Sequence, residues 1–236
     1  MGSWLGPLQN AGRVLLDFAY PPHCVVCQAE IEAVAILCAR CWLAIEKAKS
    51  EHENSTSDDL LCKSHIFKEN IILGDFSGIL QEAIYALKFH NQPRLGHELG
   101  RRMALWRAEH LASIDYLLPV PLHPARLRER GYNQSLQIAS GLAAALGVPI
   151  CNGLLHRRKN TRQQALLSAE ERGDNLRGAF SQVGQLPVGA RVGLVDDVLT
   201  TGATLQACAQ ALQTDHLSSI VLARVKGGKL VRYILT

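Results

Sequence analysis

Apolar residues in this chain fall into two kinds of run, and the two kinds alternate. Short, mostly unbroken apolar stretches occur at Asn70-Ile-Ile-Leu-Gly-Asp-Phe-Ser77, Tyr116-Leu-Leu-Pro-Val-Pro121, Arg191 to Val195 and Ser219-Ile-Val-Leu-Ala-Arg224. Between them lie longer segments with apolar residues at helical spacing. These are Ile79 to Phe89, carrying Leu80, Ile84 and Leu87; Leu95 to Leu111, after Pro93; the Ala-rich Asn133 to Leu146; and Gly202 to Leu212. A strand that reads as continuous apolar residues, without in–out alternation, is buried on both faces. Such strands separated by helices predict an α/β fold with a parallel sheet covered by helices.

The first sixty residues follow a different pattern. A short amphipathic segment, Val14 to Phe18, stops at Pro21-Pro22, and two cysteine pairs follow at once. Trp42 to Lys47 is helix-like. Lys47 to Asp59 is polar and Ser-rich with no periodicity, which predicts an exposed linker and a domain boundary. The predicted division is a small N-terminal domain with its linker at 1–61 and the α/β domain at 62–236.

Composition narrows the class. With 236 residues, 47% of them hydrophobic, the chain can build a real core. The formal charge of +4 is too mild to argue for nucleic acid by itself. No apolar run is long enough to span a bilayer, so membrane insertion is not expected. The N-terminus lacks the basic and apolar regions of a signal peptide, so the expected location is cytoplasmic. Thiols stay reduced there, and paired cysteines read as metal ligands. Of seven cysteines, four form Cys24-x-x-Cys27 and Cys38-x-x-Cys41. Four thiolates close a tetrahedral zinc site with no open position, hence a structural zinc. Cys62 and His65 make an incomplete second set. Cys151 and Cys208 read as core residues.

The most informative stretch follows the third apolar run. Val192 to Val195 leads into Asp196 and Asp197, then Thr200, Thr201, Gly202, Ala203 and Thr204, then a helix. Ligands of open α/β sheets bind at the carboxyl ends of strands, where a loop turns into a helix. Orphan amides and the positive helix end favour a phosphate there, and Gly202 lets the backbone come close. Two acids beside a phosphate cradle fit a ligand that carries sugar hydroxyls as well, since carboxylates accept hydrogen bonds from a diol and help place magnesium. Arginines cluster elsewhere, at Arg126, Arg128 and Arg130 after the Pro119–Pro121 strand, and at Arg157, Arg158 and Arg162. Guanidinium groups suit pyrophosphate.

Val192-Gly-Leu-Val-Asp-Asp-Val-Leu-Thr-Thr-Gly-Ala-Thr-Leu205 resembles the phosphoribosyl pyrophosphate (PRPP) motif of type I phosphoribosyltransferases. Two further stretches resemble one branch of that superfamily, the ComF/GntX family. They are Pro119-Val-Pro-Leu-His123 with Arg130-Gly-Tyr-Asn-Gln134, and Arg157 with Gln164-Ala-Leu-Leu-Ser168, Arg172-Gly-Asp-Asn175 and Gly178-Ala-Phe180. The resemblance implies a type I phosphoribosyltransferase-like sheet and an N-terminal zinc motif. It implies that Asp196 and Asp197 hold the ribose 2- and 3-hydroxyls and that Thr200, Thr201, Gly202, Ala203 and Thr204 cradle the 5-phosphate. Arg126, Arg130, Asn133 and Gln134 would lie by the pyrophosphate, with Arg130 and the two acids taking part in catalysis. Arg157, Gln164, Arg172 and Asn175 would belong to a flexible loop closing over magnesium-PRPP. It further implies a role in DNA uptake during natural transformation, with single-stranded DNA and proteins of an uptake machinery as partners. Three readings stay open on these residues: an enzyme transferring ribosyl phosphate to an unknown acceptor, a non-catalytic PRPP-binding module, and a single-stranded-DNA-binding protein.

Overall fold

Strands form where branched and leucine side chains run together without a polar break, and their pairing places everything else. The computed structural model describes residues 21–53, 66–158 and 178–226. In chain order its elements are helix α1 (Ala39–Glu53), strand β1 (Asn70–Asp75), α2 (Gly78–Phe89), α3 (Pro93–Trp106), α4 (Ala108–Leu111), β2 (Tyr116–Pro119), α5 (Pro124–Arg130), α6 (Gln134–Leu146), β3 (Leu155–Arg157), β4 (Phe180–Gln182), β5 (Val192–Leu199), α7 (Ala203–Ala211) and β6 (Leu217–Arg224). Four strands form a sheet in the order β1-β6-β5-β2, and every pairing in it is parallel. β3 and β4 form a separate antiparallel pair.

Both faces of the sheet are covered, as the unbroken apolar strands predict. On one face Val195, Ile220 and Leu222 share a buried cluster with Leu80, Ile84 and Leu87 of α2, with Leu95, Leu99 and Met103 of α3, and with Ile138 and Leu142 of α6. On the other face Val192, Leu194 and Val221 meet Leu205 and Cys208 of α7 and Leu155 and Phe180 of the β3–β4 pair. α3 and α6 cross at two glycines. A Cβ on Gly100 would stand 2.1 Å from the Ile138 carbonyl oxygen, and one on Gly141 would stand 1.9 Å from that of His97.

The elements differ from the sequence expectation in several places. The predicted helix Leu95 to Leu111 is two helices, because Arg107 leaves helical geometry (φ −123°). Its buried guanidinium turns inward and donates to the carbonyls of Ile72 and Leu73 on β1, at 3.1 and 3.2 Å. The third strand does not stop at Val195 but continues through both acids to Leu199, since its ladder with β6 runs on through Asp196 opposite Val221 and Val198 opposite Ala223. Arg126, Arg128 and Arg130 lie on a helix, α5, that starts at Pro124 and ends at Gly131, whose φ of +81° suits glycine. Arg157 lies not in a loop but on β3, paired opposite Phe180.

The polar stretch from Lys47 also begins as helix, because α1 runs on to Glu53; Ala, Lys and Glu are good helix formers. Cys24, Leu37, Cys41 and Ile45 belong to the same buried cluster as Ile71, Leu73 and Leu80. α1 comes close to β1 at Gly74, where a Cβ would be 3.4 Å from the Ala48 backbone. Trp42 of α1 meets Trp106 of α3 edge-on, with ring centroids 6.4 Å apart, and the Arg102 guanidinium lies 4.0 Å from the Trp42 centroid. Among the described residues no helix is long and apolar enough to cross a membrane.

Candidate functional site

The carboxyl end of β5 opens into a cleft of about 810 Å³. Its walls come from the segment after β2, from α5, from the start of α6, from the end of α2 and from β3. Asp196, Asp197, Thr200, Thr204, Arg126, Arg130, Gln134 and Arg157 all line it. The fold thus gathers into one space residues that stand far apart in the chain. Thr201, Gly202 and Ala203 build the turn beneath it. Gly202 has a φ of +77° and caps α7, while the Thr201 hydroxyl accepts from the Ala203 amide at 3.4 Å.

Asn133 has a different place from the one its motif implies. It is not among the residues lining the cleft. Its Oδ1 accepts from the Ser135 amide at 3.0 Å as the N-cap of α6, and its Nδ2 donates to the Val120 carbonyl at 3.0 Å. It therefore fixes the start of α6 against the segment following β2. Gln164, Arg172 and Asn175 lie outside the described residues, as do Cys62 and His65.

The two acids are held differently. Asp197 is buried, and its Oδ1 pairs with Lys88 Nζ at 2.9 Å, while its Oδ2 is buried without a hydrogen-bond partner among the described residues. Asp196 accepts from Ser135 Oγ at 3.0 Å and from the Asp197 amide at 2.9 Å. Burial first, and then the adjacent Asp197, push the Asp196 carboxyl up to about 7. Sequence reasoning missed Lys88, Ser135 and Phe89. Lys88 and Phe89 end an ordinary amphipathic helix and Ser135 opens another, so no local motif marks them; only the tertiary fold brings them to the cleft.

This raised carboxyl has a consequence for stability. The native state keeps the Asp196 proton up to about pH 7, whereas an unfolded aspartate loses it near 3.8. Between those two values the native state binds the extra proton, so stability falls as pH rises from 3.8 to about 7 and the loss is complete above that. Asp196→Asn is expected to stabilise the fold at pH 8 by about 1–2 kcal/mol, several degrees in Tm, after discounting for its half-buried position. The gain should shrink at pH 5, and thermal melts at the two values check it.

Cations dominate the rest of the wall. Lys88, Arg126, Arg128, Arg130 and Arg157 face three acids, Glu129, Asp196 and Asp197. Arg130 donates to Gln134 Oε1 at 2.6 Å, and its guanidinium lies 5.8 Å from the Phe89 ring centroid. The Arg157 guanidinium lies 5.5 Å from the Phe180 ring centroid. Burial lowers the pKa of both arginines, and for Arg157 the charge of Arg126 adds to it. Guanidinium groups stay protonated regardless, so holding them together carries a cost that an anion placed among them would relieve.

A second cluster stands at the N-terminal end. The Sγ atoms of Cys24, Cys27, Cys38 and Cys41 all lie within 4.8 Å of one another. Cys24 and Cys41 are 3.7 Å apart, and Cys27 and Cys38 are 3.5 Å apart. A tetrahedron with zinc–sulfur bonds of about 2.3 Å has edges of about 3.8 Å, so the four thiolates fit zinc. A backbone hydrogen bond at Ala29 and then the Arg40 guanidinium pull the Cys27 thiol down to about 6, toward the thiolate that binds metal.

Fold and sites together define an α/β protein with a cation-lined cleft at the carboxyl end of its parallel sheet and a zinc ribbon packed beside it. Residues 15–52 match the double zinc ribbon domain family. The chain is 31% identical over 200 residues to competence protein F of Haemophilus influenzae, covering 81% of this chain and 79% of that protein. It is 30% identical over 214 residues to the DNA utilization protein YhgH of Escherichia coli strain K12, covering 88% and 91%. The same figures hold for the YhgH protein of Salmonella typhi. The chain belongs to the ComF family.

Proposed function

We propose that the cleft binds magnesium-PRPP, that the chain transfers the ribosyl phosphate to an acceptor, and that it serves the handling of DNA taken up from outside the cell. The observation that carries the ligand reading is Asp197 Oδ2. An acceptor-only oxygen buried without a partner is costly, and a donor supplied by the ligand relieves that cost. A ribose diol supplies two such donors, one for Asp197 and one for Asp196.

The remaining wall suits the rest of PRPP. Thr200, Thr204 and the amino end of α7 would take the 5-phosphate, where the helix dipole favours negative charge. Arg126, Arg130 and Arg157 would face the pyrophosphate. Charge grows on that group as its bond to the ribose breaks, so cations already in place lower the barrier. Ser135 keeps Asp196 oriented, and Lys88 does the same for Asp197. The DNA role rests on the names of the relatives, competence protein F and DNA utilization protein.

Calorimetric titration of magnesium-PRPP into the wild type and Asp197→Asn tests the ligand reading. The variant is expected to fold and to bind at least about tenfold more weakly, since it loses a charge-assisted hydrogen bond. Equal binding by the two proteins would remove the proposal. Binding without pyrophosphate release in the presence of any acceptor would leave a PRPP-binding module in place of an enzyme.

A further inference from the structure

Lys88 stands in the last turn of α2, whose residues Ala83, Ile84, Ala86 and Leu87 are buried in the cluster that covers the sheet. A cation is favoured at the carboxyl end of a helix. This one, however, is not left in water. Its side chain is 13% exposed and that of Asp197 6%, and their charged atoms meet at 2.9 Å. Both ions lose water in forming such a pair, so the pair adds little to stability. Stability alone therefore does not account for a lysine at this point.

Two adjacent carboxylates are the donor set of a hard divalent cation. The oxygens already in use tell against one here. Asp197 Oδ1 meets an ammonium, and Asp196 Oδ1 accepts from Ser135 Oγ and the Asp197 amide at 3.0 and 2.9 Å. A magnesium ion bonded to Asp197 at about 2.1 Å would sit beside the Lys88 charge in a partly buried wall, where like charges repel strongly. The arginines of the wall spread their charge over a planar guanidinium, whereas the Lys88 ammonium concentrates it in one atom against the carboxylate. Asp197 Oδ2, buried without a hydrogen-bond partner among the described residues, still lacks a donor. A hydroxyl supplies one without adding charge.

We propose that Lys88 decides which class of partner the acid pair accepts: its ammonium keeps divalent cations off Asp196 and Asp197 and reserves the two acids for neutral hydroxyl groups. The acids are then left to the ribose diol, while any magnesium is carried by the pyrophosphate. That last step rests on the PRPP reading; the exclusion of metal by Lys88 does not.

Manganese titration of the full, zinc-containing chain at pH 8, with the free ion read by electron paramagnetic resonance, provides the test. The wild type is expected to hold no manganese that Asp197→Asn removes. Lys88→Gln keeps a donor for Asp197 but no charge. It should gain one site at least about tenfold tighter than any in the wild type, and Lys88→Gln combined with Asp197→Asn should lose it. Lys88→Arg restores a cation and should stay closed, and Lys88→Met serves as a second neutral variant. A lysine that only supports the fold would lower the Tm in the neutral variants and leave manganese binding as it was; that result overturns the proposal. Manganese held by the wild type through Asp197 overturns it without any variant of Lys88. If such a wild type also binds magnesium-PRPP, the Lys88 proposal falls and the PRPP reading stands. The expected manganese pattern in a protein that does not bind PRPP supports the role of Lys88 and removes the PRPP reading alone.

Discussion

Gly141→Ala is expected to cost about 3 kcal/mol or more and to reduce the yield of soluble protein sharply. The added methyl would stand 1.9 Å from the His97 carbonyl oxygen and 2.8 Å from the Arg101 amide nitrogen. Both are backbone atoms of α3, so no change of rotamer relieves the clash. α3 and α6 would have to move apart, opening the contact among Leu99, Met103, Ile138 and Leu142. The damage would reach the cleft, because α6 carries Ser135 to within 3.0 Å of Asp196 Oδ1. Urea unfolding checks the expectation against Ala144→Gly, an exposed position on the same helix that should lose only about 0.5–1 kcal/mol through backbone entropy. Similar losses at the two positions would show that the helices do not meet at Gly141.

The second large effect concerns the zinc site. Cys41→Ser is expected to abolish stoichiometric zinc and to lower the Tm of the whole protein by about 10 °C or more. Cys41 is 1% exposed and shares its buried cluster with Ile71 and Leu73 of β1 and Leu80 of α2. Losing the metal should therefore loosen one face of the sheet as well as the ribbon. Zinc analysis and thermal melts check this, and a chelator should lower the wild-type Tm while leaving the variant's unchanged. A melt of the sheet that ignores both treatments would mean that the ribbon is an independent appendage.

Local chemistry is legible in this sequence, and long-range geometry is much less so. Four cysteines at regular spacing announce a tetrahedral site, because ligand spacing is set within one short stretch. Asp196, Asp197 and Gly202 are legible for the same reason: strand, acids and turn are contiguous. The unbroken apolar runs read as a parallel sheet buried on both faces, and the sheet is so built. The end of β5 is not legible, because acids break the apolar pattern while a ladder with β6 carries the strand through them. Helix α5 is hidden by its arginines, which give it no apolar stripe; none of its residues is fully buried, and Arg130 is half-buried. Asn133 stands in a ligand-like motif and caps a helix, a distinction that spacing cannot make. Lys88 reaches Asp197, and Phe89 the cleft, from a distant part of the chain, and nothing in their own helix foretells it.

The strand order has a consequence for how this chain is made. Among the described residues, β1 pairs only with β6, and β2 makes a single bridge, Leu117 opposite Ile150, besides its ladder with β5. Both β1 and β2 therefore wait for a ladder until the segment between Val192 and Arg224 is made. On the ribosome, the ribbon can collect its metal early, but the strand it docks against has no ladder until the last strand has emerged. Folding of the sheet is then a late, long-range closure, slow by its topology and exposed to chaperones and to aggregation until β6 has emerged.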